Sequence, residues 1–183
     1  MPKTIAMLGD SLTEYNVWTS IAPDDEVVNL GLGGDTAAAL VFRLNRVALA
    51  NPDLVFLQIG INDLCQGRSP GELARNHARV WKKLRDGIPG LRLAVQTLAP
   101  VREEKFFRKT DSPTNALVRE ANALLAEAAR KSGTELLDIF GPLGGEDGKL
   151  SDDMTDDGLH LTPKAYETWM NSLGEFLKKH PNR

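Results

Sequence analysis

Hydrophobic residues along the chain fall into five short apolar runs that alternate with longer segments of mixed polarity. Each run has the length of a buried strand and is too short to form an independent helix. The third run is almost wholly apolar, which is typical of a central parallel strand covered on both faces. Strands are therefore predicted at residues 5–8, 26–30, 54–59, 91–98 and 135–139.

The segments between these runs carry apolar residues at helical spacing, together with residues that begin and end helices. Ser69 and Glu72 have the spacing of a capping box, Thr162 with Pro163 marks another helix start, and Gly133 is a C-cap. Helices are predicted at residues 14–22, 37–50, 70–86, 113–132 and 163–179, and loops at residues 101–112 and 141–157.

This alternation of strands and helices predicts a parallel sheet with helices on both faces. Right-handed crossovers and short connections leave few topologies, of which the flavodoxin-like strand order 2-1-3-4-5 fits best. We therefore expect an α/β fold of three layers, α/β/α, in one domain over residues 1–183.

Composition limits the classes of function. The chain has 183 residues and a formal net charge of −3, so no basic excess indicates nucleic acid or an anionic membrane as a partner. Cys65 is the single cysteine, which excludes an internal disulfide and a cysteine-based metal cluster. The first residues do not resemble a signal peptide and no apolar run is long enough to span a membrane, so a cytoplasmic location is expected. Composition does not predict an oligomeric state.

Chemistry is expected where the strands end, because ligands of open α/β sheets bind at the carboxyl edge. The first strand ends at Gly9, and Ser11 follows two residues later. A serine in this position can act as the nucleophile of ester hydrolysis, which also needs a base, an orienting acid and oxyanion donors. A plain turn or helix cap has the same composition, so this stretch alone does not decide between them.

The chain has three histidines, which nearly decides the base by elimination. His77 lies inside a predicted helix among polar residues and is expected on a solvated face, and His180 lies near the C-terminus. His160 follows the last strand, three residues after Asp157. A tight turn there would place the Asp157 carboxylate on the ring and turn the other ring nitrogen toward Ser11. A turn followed by a capped helix is the alternative for this stretch.

Oxyanion donors are expected from three separate loops. Gly34 ends the second strand and offers a backbone N–H where a Cβ would crowd a tetrahedral intermediate. Asn62 ends the third strand and carries two side-chain N–H donors, and Ser11 adds its own backbone N–H. An ordinary loop glycine and an ordinary turn asparagine remain the alternatives for Gly34 and Asn62.

Four blocks at predicted strand ends together resemble the GDSL, or SGNH, hydrolase family of esterases and lipases. They span residues 9 to 160 in the family's order: Gly9-Asp10-Ser11-Leu12, Gly31-Leu32-Gly33-Gly34-Asp35-Thr36, Gly60-Ile61-Asn62-Asp63 and Asp157-Gly158-Leu159-His160. One block alone would be a weak signal, whereas four in order are specific. The compact length and the Asp35-Thr36 extension of the second block resemble the platelet-activating-factor acetylhydrolase and small bacterial acylhydrolase branches.

The resemblance implies a flavodoxin-like fold and a catalytic triad of Ser11, His160 and Asp157. It also implies that Gly34 and Asn62 donate to the oxyanion with Ser11, and that residue 10 orients the first loop. Ser11 is not in the Gly-x-Ser-x-Gly frame of α/β-hydrolases, so the oxyanion hole is not expected from a nucleophile elbow. No cofactor and no metal are expected in this interpretation.

Two other classes of function are alternatives. A metal-dependent hydrolase is the first, because carboxylates after strand ends with one histidine can bind Mg²⁺ or Mn²⁺. Those carboxylates are Asp10, Asp35, Asp63 and Asp157. A non-catalytic flavodoxin-like binding module is the second, because fold alone does not fix function.

The expected substrate is a small-molecule ester with a short acyl chain, acetyl above all, because no extended apolar lid is evident. The charged segment 103–108, with Phe106 and Phe107, either overhangs the site or is an exposed loop with one buried phenylalanine. The sequence does not predict the alcohol part of the ester.

Overall fold

A computed structural model describes residues 2–106 and 112–180 of the chain. The strands of its single sheet are β1 (Thr4–Gly9), β2 (Glu26–Gly31), β3 (Leu54–Gln58), β4 (Arg92–Gln96) and β5 (Glu135–Leu137). All neighbouring strands are parallel, and their order is β2-β1-β3-β4-β5. The predicted topology is thus confirmed, with strand bounds that differ from the prediction by one to two residues at most ends.

Eight α-helices are formed by the described residues. They are α1 (Ser11–Glu14), α2 (Ala37–Leu40), α3 (Leu44–Ala50), α4 (Ile61–Cys65), α5 (Pro70–Gly87), α6 (Asn115–Ser132), α7 (Phe140–Leu143) and α8 (Pro163–Lys179). Single 3₁₀ turns cover Thr19–Ile21, Glu103–Lys105 and Asp152–Met154. No helix among residues 2–106 and 112–180 has the length and apolarity that crossing a membrane requires.

Apolar side chains on both faces of the sheet are buried, which is why the strands read as nearly continuous hydrophobic runs. On one face, alternate residues such as Leu8 and Leu57 pack with α2, α3, α5 and α6. On the other face, Met7 and Phe56 pack with α8 and with the loop that carries Trp18. The rings of Trp18 and Trp169 meet edge to face with centroids 4.9 Å apart. The sheet is therefore the middle of three layers, with a core on each side.

Helix boundaries follow the predicted caps closely for the long helices. Ser69 and Glu72 form the capping box of α5, and Gly133 ends α6 at φ +64. Pro163 starts α8, but the Thr162 hydroxyl donates to the carbonyl of Asp153 instead of capping the helix. The predicted loop at residues 141–157 contains most of α7 and one 3₁₀ turn.

Two predicted helices near the N-terminus are wrong in extent. In place of the helix expected at 14–22, the structure has α1 and a separate 3₁₀ turn. Helix α1 begins at Ser11 because Asp10 Oδ1 accepts the backbone N–H of Leu12 at 3.0 Å. The helix expected at 37–50 is divided into α2 and α3. At the break, Arg43 has non-helical backbone angles (φ −115, ψ 11), and its side chain contacts the carboxyl ends of β1 and β2.

Candidate active site

Ser11 lies at the carboxyl edge of the sheet, at the first residue of α1. The preceding glycine, Gly9, permits a close approach that no other residue would. A Cβ on Gly9 would lie 2.2 Å from both the carbonyl oxygen of Gln58 and Oγ1 of Thr13. The chain therefore turns sharply from β1 into α1 and holds Ser11 almost buried, with 6% of its surface exposed.

His160 reaches this serine from the loop between β5 and α8. Its Nε2 lies 3.2 Å from Ser11 Oγ, and its Nδ1 lies 2.6 Å from Asp157 Oδ2. With Nδ1 donating to the carboxylate, the neutral ring presents its Nε2 lone pair to the serine hydroxyl. The structure thus brings the three residues of the predicted triad into one chain of hydrogen-bonding contacts.

Local backbone contacts explain why Asp157 and His160 meet. Asp157 Oδ1 accepts the backbone N–H groups of Leu159 at 2.9 Å and of His160 at 2.8 Å, which closes a tight turn around the carboxylate. Gly158 sits in the turn at φ +92, and a Cβ there would lie 2.5 Å from the carbonyl oxygen of Arg102. The turn therefore requires glycine at this position, for both conformation and space.

The charge state of Asp157 follows from the same contacts. Partial desolvation raises the pKa of its carboxyl, but hydrogen bonds from the His160 side chain and from two backbone N–H groups outweigh it and lower the pKa. The carboxylate is therefore ionised at neutral pH, as an acceptor for His160 Nδ1–H must be.

Gly34 and Asn62 lie on neighbouring loops of the same edge. Asn62 is the second residue of α4, and its Nδ2 donates to the backbone carbonyl of Asp35 at 2.9 Å. That bond fixes the amide plane, and no other acceptor among the described residues takes the second N–H, which can donate to a ligand. Gly34 adopts φ +74, and a Cβ there would meet no atom within 4 Å. The left-handed backbone is thus one reason for glycine here. Crowding of the tetrahedral intermediate by a Cβ at Gly34 stays a prediction.

Arg43 fixes the position of these loops, a role that the residue pattern did not predict. Its guanidinium donates to Asp35 Oδ2 at 2.6 Å and to the carbonyl oxygens of Leu30 and Gly9, each at 2.8 Å. Arginine can bridge three acceptors in this way because its donors form a rigid planar fork. One side chain therefore joins the ends of β1 and β2 to the loop that holds the Asn62 amide.

Two further carboxyl groups lie buried beside this edge. Asp63 Oδ2 accepts the backbone N–H of Ala37 at 2.7 Å and thereby fixes the start of α2. Asp10 is fully buried next to the serine. Desolvation raises the pKa of Asp10 to about 7, against the opposing effect of the Leu12 N–H. Both groups are thus parts of the loop scaffold.

His77 does not have the solvated position that the sequence predicted. It is fully buried on the face of α5 that packs against the sheet, where Nε2–H donates to the carbonyl of Ile59 at 2.9 Å. Burial lowers the pKa of His77 to about 4, so its ring is neutral. His180, the C-cap of α8, accepts a hydrogen bond from Arg92 through its backbone carbonyl.

The strand-end carboxylates are each engaged in a different local contact. Asp35 pairs with Arg43, Asp63 with a helix N-terminus, and Asp157 with His160. Within residues 2–106 and 112–180, no three histidine, cysteine, aspartate or glutamate side chains form a group that could hold a metal ion. The predicted overhanging loop is described only in part: Phe106 packs against the core, and Phe107 and Arg108 lie outside the described residues.

Comparison with known proteins identifies the family. Residues 7–168 match the model of the GDSL-like lipase/acylhydrolase family. The N-acylneuraminate cytidylyltransferase of Streptococcus agalactiae serotype V is 33% identical over 93% of this chain, which spans only 38% of that protein's length. Platelet-activating factor acetylhydrolase IB subunit alpha2 of Rattus norvegicus is 26% identical over 94% of the chain and 75% of that protein.

A solved structure agrees in fold. The lipase/acylhydrolase from Enterococcus faecalis superimposes with a TM-score of 0.82 at 19% identity, over 99% of each chain. The family match begins at Met7 within β1 and ends at Thr168 within α8, and it includes every loop at the carboxyl edge between them. The chain therefore belongs to the GDSL-like lipase/acylhydrolase family.

Proposed function

We propose that this protein is a serine esterase that hydrolyses short acyl esters, above all acetyl esters, with Ser11, His160 and Asp157 as its catalytic triad. One observation carries the proposal: Ser11 Oγ lies 3.2 Å from His160 Nε2 while His160 Nδ1 lies 2.6 Å from Asp157 Oδ2. That arrangement has the contacts by which a base activates a serine and an acid orients the base.

The proposed reaction begins with attack of Ser11 Oγ on the ester carbonyl carbon. His160 Nε2 takes the hydroxyl proton as the new C–O bond forms, and Asp157 stabilises the imidazolium. The oxyanion accepts hydrogen bonds from the backbone N–H groups of Ser11 and Gly34 and from the free Nδ2–H of Asn62. Donors held in place before the reaction stabilise this charge without reorganisation.

Collapse of the intermediate breaks the bond to the alcohol. His160 gives its proton to the departing oxygen, so the alcohol leaves neutral and the acyl group stays on Ser11. A water molecule then attacks the acyl-enzyme while His160 again takes a proton. The second collapse releases the acid and returns the proton to Ser11.

Two features support a short acyl chain. Ser11 is only 6% exposed, and we expect a small acyl group to reach such a serine more readily than a bulky one. One relative's name specifies an acetylhydrolase, although that protein is only 26% identical to this chain. Acetyl is the acyl group that both features favour.

The proposal is tested with p-nitrophenyl esters of increasing acyl length, assayed with the wild-type protein and Ser11→Ala. We expect kcat/KM to be highest for the acetate, and turnover of every ester to fall nearly to background in Ser11→Ala with an unchanged melting curve. Full activity in that variant would refute the nucleophile, and a maximum at long acyl chains would refute the acyl preference.

A further inference from the structure

Glu14, Tyr15 and Gly33 lie beside the proposed nucleophile and base, and we call them the Gly33 surface. A Cβ built on Gly33 would lie 2.9 Å from Glu14 Oε2, 3.7 Å from Tyr15 Oη and 3.9 Å from Ser11 Cβ. A carboxylate, a phenol and the serine thus converge on one glycine surface. Because Gly33 has no side chain, the Glu14 carboxylate can lie against its backbone beside the serine.

The Glu14 side chain is held on the Gly33 surface through one of its two carboxylate oxygens. Its Oε2 accepts the backbone N–H of Gly33 at 2.8 Å. Within residues 2–106 and 112–180, no group donates to Oε1 of this exposed glutamate or pairs with Oη of Tyr15, which is 62% exposed. The Gly33 surface therefore presents an acceptor and a hydroxyl that a ligand can use.

The backbone beneath both side chains is held firmly. Asn29 Nδ2 donates to the carbonyl oxygens of Thr13, Glu14 and Asn16 at 3.0–3.1 Å, and Asn29 Oδ1 accepts the N–H of Gly31. A Cβ on Gly31 would lie 2.3 Å from the backbone nitrogen of Glu14, so α1 and β2 touch directly. Groups fixed before binding lose little freedom when a ligand arrives.

The position of Tyr15 indicates which part of an ester would contact the Gly33 surface. Its ring lies against the ring of His160, with centroids 5.5 Å apart and planes inclined by 38°. In the proposed reaction, His160 must give its proton to the departing alcohol oxygen, so the alcohol lies on the His160 side. Tyr15 and Glu14 therefore face the alcohol and not the acyl group.

We propose that Glu14, Tyr15 and Gly33 form a subsite for an alcohol that carries a free hydroxyl next to the ester, as in a partly acetylated polyol. This rests on the proposed esterase function. The carboxylate accepts one hydroxyl hydrogen and the phenol pairs with a neighbouring hydroxyl, while the aromatic ring packs on carbon. A quaternary ammonium has no N–H or O–H to donate, so it would leave the Glu14 carboxylate and the Tyr15 hydroxyl without hydrogen bonds. It is the competing occupant that the esters below distinguish.

A matched pair of acetyl esters tests this subsite. Glycerol 1-monoacetate and propyl acetate share the acyl group and the three-carbon chain and differ by two hydroxyls. We measure acetate release and compare the ratio of their kcat/KM values. A hydrogen bond to a charged acceptor is strong enough to make this ratio about tenfold in the wild type.

Three variants assign the preference to residues. In Glu14→Gln the amide oxygen still accepts the Gly33 N–H but the charge is lost, and we expect the ratio to fall at least about fivefold. In Tyr15→Phe only the hydroxyl is lost, and we expect a smaller fall. Glu26→Gln, an exposed glutamate at the opposite edge of the sheet, is the control and should keep the wild-type ratio.

The outcomes separate this subsite from the esterase function itself. A wild-type ratio near one, or a ratio that Glu14→Gln and Tyr15→Phe leave unchanged, would overturn the subsite while acetate release upheld the esterase. A preference for 2-(trimethylammonio)ethyl acetate that Glu14→Gln abolishes would overturn the hydroxyl assignment in favour of a cation. Absence of acetate release from every ester would instead overturn the proposed function.

Discussion

Replacing Arg43 with methionine should cost this protein a large part of its stability, although the residue lies outside every motif. The methionine side chain has similar reach but cannot donate to Asp35 Oδ2, Leu30 O or Gly9 O, which the guanidinium binds at 2.6, 2.8 and 2.8 Å. The Asp35 side chain is only 4% exposed, so its carboxylate would stay buried without its cation.

The magnitude follows from these contacts. Removing one partner of a buried ion pair costs about 3–5 kcal/mol, and each carbonyl oxygen that loses its hydrogen bond adds ~1 kcal/mol. Packing of the methionine side chain offsets part of this total. We therefore expect Arg43→Met to lower the free energy of unfolding by about 3–5 kcal/mol. For a chain of this size, that corresponds to a fall in Tm of roughly 10–15 °C.

Chemical denaturation of Arg43→Met, Asp35→Asn and the double variant measures this coupling. Asp35→Asn removes the buried carboxylate that Arg43→Met leaves without a cation. The double variant should therefore lose about 1–3 kcal/mol less stability than the two single variants lose together. The folded fraction of Arg43→Met should also lose kcat, since the Asp35 carbonyl holds the Asn62 amide at 2.9 Å. A cost below 1 kcal/mol for Arg43→Met, or strict additivity, would refute the reasoning.

Other predictions concern single groups. Asn62→Ala should lower kcat by about 10²–10³ with little change in KM, and a pure KM effect would make Asn62 a substrate-binding residue. Asp157→Asn should cut kcat strongly while Asp156→Asn does much less, so the reverse order in steady-state kinetics would show that the triad is misassigned. His77 has a pKa of about 4 in the folded protein against ~6.5 when unfolded, so the unfolded chain binds its proton first. The contribution of the buried, neutral His77 ring to the stability of the fold is present above pH ~6.5 and is lost as the pH falls toward 4. Denaturation at pH 7.5 and 4.5 should show the wild type losing about 2–3 kcal/mol more than His77→Phe, and equal losses would contradict the burial argument.

The topology and the candidate triad were predictable because their signals are local. Five apolar runs fix the strands, and their parallel order brings every carboxyl-end loop to one edge. The Asp157–His160 contact depends on a turn of four residues whose backbone N–H groups bind the same carboxylate. Short-range geometry of this kind can be recognised from spacing alone.

Arg43 and His77 were not predictable, because their roles depend on distant partners. Both are polar residues in helical patterns, where a solvated position is the usual outcome. Arg43 instead reaches two strand ends, and His77 faces the carbonyl of Ile59 across the core. The conformation of Gly34 was missed for a related reason, since neighbouring residues did not indicate its positive φ.

Covalent labelling of the nucleophile tests the proposed chemistry most directly. The wild-type protein is treated with an organophosphonate that reacts only with activated serines, and the adduct is counted by intact mass and located by peptide mapping. We expect one adduct per chain, on Ser11, with loss of esterase activity in proportion to labelling, and no adduct in His160→Ala or Ser11→Ala. An unlabelled but active wild type, or an adduct on another serine that inactivates the enzyme, would contradict Ser11 as the nucleophile.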